Sequence, residues 1–244
     1  MKRSGWLRAG DYVTLWHLSR RRYRSSEEYR TFQLFQASLL ITYLQSNGLV
    51  FQGKQVLDVG CSTGAYSQLF TQEGASVHSL DIEVHPMLAT GVRGSMVVGD
   101  ALELPIANDQ FDFVFCASLI EHVPDPGHLL GELYRVLRTG GRCYVGFPPF
   151  YSPAGGHQFK PFHLLGERAA VALAGRGRWT YANVGGRWGL HRVTIGRARQ
   201  QLIESGFVID DISTKFLPVN FARIPVLGEC LTWYAQFLVT KVGP

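Results

Sequence analysis

Long apolar runs are missing from this 244-residue chain: no stretch reaches the ~18 uninterrupted hydrophobic residues of a membrane span. The basic residues at the start run into Asp11, His17 and the segment Ser19 to Arg24 instead of an apolar core of about 7–15 residues, so the sequence predicts no secretory leader. Cysteine is scarce. Cys61, Cys116, Cys143 and Cys230 stand far apart, with no CxxC pair and no Cys/His cluster at metal-ligand spacing. These absences exclude a disulfide scaffold and a zinc module, offer no metal site, and predict reduced thiols in a soluble, cytoplasmic protein. Disorder is excluded by a hydrophobic content of 46%, enough for a substantial core at this length.

Acidic residues are the minority charge, 19 against 24 Lys and Arg, and the resulting net charge of +5 is unevenly placed. Residues 1–30 carry a net +5 and residues 150–200 a net +7, which leaves −7 on the remainder. Two basic segments therefore sit on an acidic body. The basic segment at 150–200 suits an anionic acceptor, phosphorylated, nucleotide-linked or lipid-linked, or else simply balances the acidic body. The Arg20-Arg21-Arg22 run reads as a solvated face, or else as a contact for acidic lipid or nucleic acid. The 27 glycines exceed the usual share of about 7% and predict many tight turns.

Apolar residues at helical spacing predict a helix from Ser26, as N-cap, to about Ser46, stopped by Asn47-Gly48. Strands are expected at Gln55 to Val59, Val77 to Asp81, Ser95 to Val98, Phe111 to Ala117 and Arg142 to Phe147. Helices are expected between them at Ala65 to Gln72, near Met87, and from Pro126 to Leu137, the last closed by Gly140-Gly141. Such alternation predicts a doubly wound parallel sheet. Residues 149–193, rich in Gly, Pro, Arg, His and aromatics, break the pattern and read as an insertion with one helical stretch near Leu164 to Leu173. A helix over Thr194 to Glu204 and strands at Phe207 to Thr214 and Gln236 to Lys241 complete the α/β unit.

In open parallel sheets ligands bind beyond the carboxyl ends of the strands. The first strand ends in Val56-Leu57-Asp58-Val59-Gly60-Cys61-Ser62-Thr63-Gly64. A dinucleotide loop would read GxGxxG around a pyrophosphate, whereas here two glycines flank three residues and an acid precedes them. The second strand ends at Asp81, whose carboxylate can accept from both hydroxyls of a ribose. The third ends in Gly99-Asp100-Ala101, where Asp100 can accept from an adenine amino group. Three acidic strand ends suit a nucleoside joined to a cationic group, not a phosphorylated nucleotide.

Together with Phe111-Asp112-Phe113-Val114 and the turn Leu137 to Arg142, these motifs resemble the class I, Rossmann-like methyltransferase family, in the right order over about residues 50 to 150. One departure is Ser62, where the family usually has glycine. The resemblance implies a seven-stranded, mostly parallel sheet with a terminal antiparallel strand, and S-adenosylmethionine as cofactor. It implies that Asp58, Gly60, Cys61 and Gly64 surround the methionine end, that Asp81 with Ile82 holds the ribose, and that Asp100 with Ala101 holds the adenine. Ser118, after the fourth strand, is expected to line the same pocket. Residues 1–49 would then be a basic, helical extension and residues 50–244 the catalytic domain, carrying the insertion on its acceptor side.

An activated sulfonium methyl needs chiefly an aligned acceptor, and a base only where the acceptor must lose a proton. His122, at the mouth of the expected site, and His157, in the segment leaving the fifth strand, are the candidate bases; the alternatives are a polar pocket lining and an incidental loop residue. A small-molecule, glycan or lipid-linked acceptor methylated at oxygen is the expected reaction. An RNA methyltransferase and a non-catalytic cofactor-binding module are the rivals. Against RNA stands the lack of an N-P-P-Y/F-like motif after the fourth strand, where Ala117-Ser118-Leu119-Ile120 occurs.

Overall fold

A computed structural model of the chain describes residues 7–22, 24–85, 95–174, 189–215, 217 and 219–243. Two helices lead. Helix α1 (Ala9–Arg21) closes its first turn by a bond from the Arg8 amide to the Asp11 carboxylate. Helix α2 (Ser26–Ser46) is capped by Ser25, whose Oγ accepts from the Glu28 amide at 3.1 Å, one residue before the expected cap. The correction has a simple cause: the cap lies outside the helix, and Ser25 alone has the extended backbone that aims its oxygen at the first turn.

The core elements follow as β1 (Gln55–Val59), α3 (Ala65–Gln72), β2 (Ser76–Asp81), β3 (Met96–Val98), β4 (Phe111–Ala117), α4 (Pro126–Val136) and β5 (Leu137–Phe147). After the insertion, which holds α5 (Glu167–Ala174), come α6 (Ile195–Glu204), β6 (Phe207–Thr214), a short α7 (Leu227–Leu231) and β7 (Ala235–Lys241). The strands form one seven-stranded sheet in the order β3-β2-β1-β4-β5-β7-β6. Strands β1 to β5 pair in parallel, and β7 runs antiparallel to both β5 and β6, as the motif order implied. The helix expected near Met87 lies outside the described residues.

Both sheet faces are buried, which explains why the central strands are apolar throughout instead of alternating. Val56, Phe113, Phe115, Tyr144 and Leu238 pack on one face against Leu40, Ile41 and Leu44 of α2 and Phe70 of α3. Their sequence neighbours Leu57, Val114, Cys116, Cys143, Val145 and Phe237 face the other side, against Leu129, Leu130, Leu133 and Val136 of α4 and Ala198 and Leu202 of α6. Within the insertion, Phe150, Phe159, Ala170 and Leu190 form a small core of their own. Among the described residues no helix is long and apolar enough to cross a membrane.

The Gly140-Gly141 pair does not end a helix. Helix α4 stops at Val136, and β5 starts at once with Leu137, pairing with Phe111 before a register shift that pairs Arg142 with Phe113. Gly140 occupies positive φ (+77°) inside the bulge, and a Cβ on Gly141 would lie 2.8 Å from the Arg138 carbonyl oxygen. The glycines thus let the strand fold back on itself, a use that helical periodicity does not reveal.

Phe70 joins α3 to the sheet, its ring centroid 5.0, 5.7 and 5.4 Å from those of Phe51, Phe113 and Phe115. Phe70→Ala is expected to cost about 3–5 kcal/mol in urea denaturation through the cavity it leaves.

Candidate active site

At the carboxyl end of β1 the chain turns through Gly60, Ser62 and Gly64, all at positive φ (77°, 47° and 73°). Gly60 has Leu119 beside it: a Cβ there would come within 3.3 Å of the leucine Cδ2. The loop is tied to β2 by bonds from the Gly60 and Cys61 amides to the Leu80 carbonyl. Asp81 completes the tie, its two carboxylate oxygens each accepting a backbone N–H at 2.8 Å, from Ser62 and from Ile82. Those bonds fix the carboxylate and leave each oxygen further accepting capacity toward the loop's open side. Next in the sheet, the Gly99 amide donates to the Asp81 carbonyl, and Asp100 accepts from the Leu102 amide at 2.8 Å, beside a buried Ala101.

Asp58 sits beneath this loop and is 1% exposed. Its carboxylate accepts from the Ser67 hydroxyl of α3, and Ser79 of β2 donates in turn to Ser67 at 2.8 Å. Burial drives its pKa up to about 7 against that hydrogen bond, with the Asp81 charge adding to the rise. Burial also lifts the Cys61 thiol well above the ordinary range, so it is a lining group and not a nucleophile. Among the described residues, none of Asp58, Asp81 and Asp100 has an ion-pair partner.

Beyond β4, Ser118 takes positive φ (54°), donates its amide to the Gly146 carbonyl, and places its Oγ 3.0 Å from the Tyr234 hydroxyl. A 3-10 turn over Ile120–His122 follows. His122 Nδ1 lies 2.6 Å from the Gly189 carbonyl, so it donates there and its lone pair is on Nε2. His157 approaches from the insertion, the two rings 4.9 Å apart. Both imidazoles are held below the usual histidine range by burial, His157 at about 3. Glu121 completes the group: its carboxyl is buried among these rings, and burial raises its pKa to about 8.

The structure thus gathers Gly60, Cys61, Gly64, Asp81, Ile82, Asp100, Ala101 and Ser118 around the strand ends, and His122 with His157 at a second focus beside them. Asp58 lies below, bonded to Ser67. Glu121 and Tyr234 carry no role in the sequence reading. A cavity of about 630 Å³ at the far edge of the sheet, between α6, β6 and α7, shares none of these residues.

The acceptor set fits S-adenosylmethionine: carboxylates without counter-ions among the described residues lie at a glycine turn, complementary to a cationic group carried on a ribose. Parallel order, crossover and loop define a Rossmann-like methyltransferase domain. Residues 57–145 match a family described as Methyltransferase domain. Over these residues the chain is similar to a methyltransferase domain, and its fold is that of solved S-adenosylmethionine-dependent methyltransferases.

An uncharacterized methyltransferase of Mycobacterium ulcerans is 31% identical over 139 residues, 55% of this chain and 54% of the relative. One of Mycolicibacterium paratuberculosis is 30% identical over 167 residues, 64% of this chain and 66% of the relative. The chain spans about half the length of the first curated relatives it matches. Among solved structures, an S-adenosylmethionine-dependent methyltransferase of Mesorhizobium loti aligns with a TM-score of 0.59 at 21% identity, covering 81% of this chain and 95% of its own. Another, of Clostridium acetobutylicum, gives 0.60 at 14%, covering 85% and 91%.

Asp58 supplies a pH test. Its folded pKa, near 7, exceeds the value of 3.8 expected unfolded, so its contribution is complete below pH ~4 and is lost as pH rises through 7. Asp58→Asn removes that loss, and its stability relative to wild type should rise by a few kcal/mol between pH 5 and 8 in urea denaturation. A constant difference across that range would refute the assignment.

Proposed function

We propose that this chain transfers the methyl group of S-adenosylmethionine to oxygen of a small-molecule, glycan or lipid-linked acceptor. The observation that carries the cofactor half is the set of carboxylates at adjacent strand ends, Asp58, Asp81 and Asp100, which among the described residues accept hydrogen bonds but have no ion-pair partner. When bound, the cofactor supplies a methyl on a sulfonium, already activated for displacement. Asp81, fixed by Ser62 and Ile82, is placed to accept from ribose hydroxyls, and Asp100 to accept from an adenine amino group.

The acceptor half rests on the Glu121, His122 and His157 group beside the loop. As the new carbon–oxygen bond forms and the carbon–sulfur bond breaks, the acceptor hydroxyl gives up its proton. His122, with Nδ1–H committed to Gly189, presents Nε2 toward that task. Phe147 and Phe150, at the start of the insertion, are buried nearby in sequence, and Arg192 lies 5.4 Å over the Phe150 ring. This exposed cation on the insertion favours an anionic acceptor. The exposed Val13 and Trp16 of α1, with Arg20 packed 4.8 Å over the Trp16 ring, favour contact with an anionic lipid surface.

Calorimetry should show S-adenosylmethionine and S-adenosylhomocysteine bound at micromolar concentration and NAD not bound. Asp81→Ala should weaken both by roughly 10- to 100-fold, the loss of charged-acceptor hydrogen bonds. Preference for NAD, or full affinity in Asp81→Ala, would sink the cofactor assignment.

A further inference from the structure

The Glu121, His122 and His157 group asks for a partner that the chain does not supply. Both Glu121 oxygens and His157 Nε2 are buried with no hydrogen-bond partner, and Glu121 is 2% exposed. His122 Nε2 and His157 Nε2 each lie 3.9 Å from Glu121 Oε1, too far for a hydrogen bond. A buried carboxyl left in this state is costly. Nothing else in the group can close the gap, because the one N–H fixed by geometry, on His122 Nδ1, is already given to Gly189.

The three ligand atoms lie within 4.8 Å of one another. Around a zinc-sized ion with bonds of ~2.1 Å, neighbouring ligands sit about 3.4 Å apart, so each atom here must move inward by roughly half an ångström. That is side-chain adjustment, not rebuilding. The surroundings also have the form of a supported site. A ligating histidine ordinarily gives its second ring nitrogen to a carbonyl, as His122 does to Gly189. The same segment holds the glutamate, through a 2.8 Å bond from the His191 amide to the Glu121 carbonyl. His157 is delivered by a loop that only glycine allows: a Cβ on Gly155 would lie 2.1 Å from the Pro149 oxygen, and one on Gly156 2.1 Å from His163 Nδ1.

We propose that Glu121, His122 and His157 bind one divalent first-row transition-metal ion through Glu121 Oε1 and the two histidine Nε2 atoms. Two imidazoles and one carboxylate select zinc, iron(II), cobalt(II) or nickel over magnesium and calcium, which prefer oxygen ligands throughout. Three protein ligands leave coordination positions open. The use of such an ion rests on the methyl-transfer reading: an acceptor hydroxyl on an open position loses its proton to solvent more readily, and its oxygen is fixed for attack. His122 Nε2 then holds the ion in place of acting as the base, and the proton leaves to solvent.

The test strips the full chain with a chelator and titrates zinc and cobalt(II) by calorimetry, with His157→Gln and Glu121→Gln alongside. One ion per chain is expected at micromolar affinity or tighter, weakened by roughly 100-fold or more in either variant. Cobalt(II) should show visible absorption bands that both variants lose. Absence of binding, or retention of full affinity in His157→Gln, overturns the proposal. Should Glu121→Gln fail to fold by circular dichroism, His157→Gln decides alone, since the His157 side chain is 27% exposed. S-adenosylmethionine binding by the metal-free protein is measured in parallel. Absence of cofactor binding counts against the methyltransferase reading and leaves the ion unaffected, whereas cofactor binding together with no uptake of zinc or cobalt(II) counts against the metal site alone.

Discussion

The pairing of β1 with β4 is the constraint on which the rest of the site depends. From β1 the chain builds outward through β2 and β3, and from β4 it builds the opposite way through β5. At such a switch point the connections leave on opposite sides, which opens a crevice above the carboxyl ends of the two strands. The register that pairs Val59 with Cys116 sets the glycine turn after β1 beside the segment after β4. The close approach of Gly60 to Leu119 is the local consequence, and it is why a side chain at position 60 would meet the neighbouring segment. Both foci of the candidate site, the carboxylates and the Glu121 group, are therefore products of one pairing.

Charge at this crevice is arranged against folding stability. Asp58, Asp81 and Asp100 lie at the ends of neighbouring strands with no ion-pair partner among the described residues, and Asp58 is buried as well. The fold softens the cost by hydrogen bonds rather than by counter-ions: two amides on Asp81, the Ser67 hydroxyl on Asp58, the Leu102 amide on Asp100. A salt bridge would neutralise the site, whereas a hydrogen bond from a neutral donor orients a carboxylate and leaves its charge for a cationic ligand. Binding and folding are thereby coupled, because a ligand bearing positive charge relieves repulsion that the empty site retains.

Local signals made most of this legible. The bounds of β1, α3, β4 and β6 agree with the residues expected, because each is a short apolar or amphipathic run closed by a glycine, an acid or a polar turn. The glycine pair after α4 was misread, since the same dipeptide serves as a helix stop or as a strand bulge, and only the partner strand chooses between them. Residues 9–21 are read only as part of a basic, helical extension, because the helix has no buried side chain of its own to give it a clear apolar stripe; Arg21 pairs with Glu28 of α2. Glu121 was invisible for a different reason. Acid and histidine adjacent in sequence carry little information until His157, from a distant loop, is folded onto them.

That delivery by the insertion bears on how substrate and cofactor halves divide the molecule. The carboxylates and the glycine turn belong to the sheet, whose strand order alone positions them. His157 belongs to the segment after β5, and it reaches Glu121 because Gly155 and Gly156 admit backbone and ring atoms where a side chain would stand. The segment at 189–191 grips the same group from the other side, through His122 and the Glu121 carbonyl. An insertion that merely capped the sheet would need neither contact. By gripping Glu121 and His122 it ties the acceptor side to the end of β4, so that displacement of the insertion must disturb the polar group next to the cofactor turn. The candidate site is thus divided between one loop, which brings His157 to Glu121, and the sheet, which carries the carboxylates and the glycine turn.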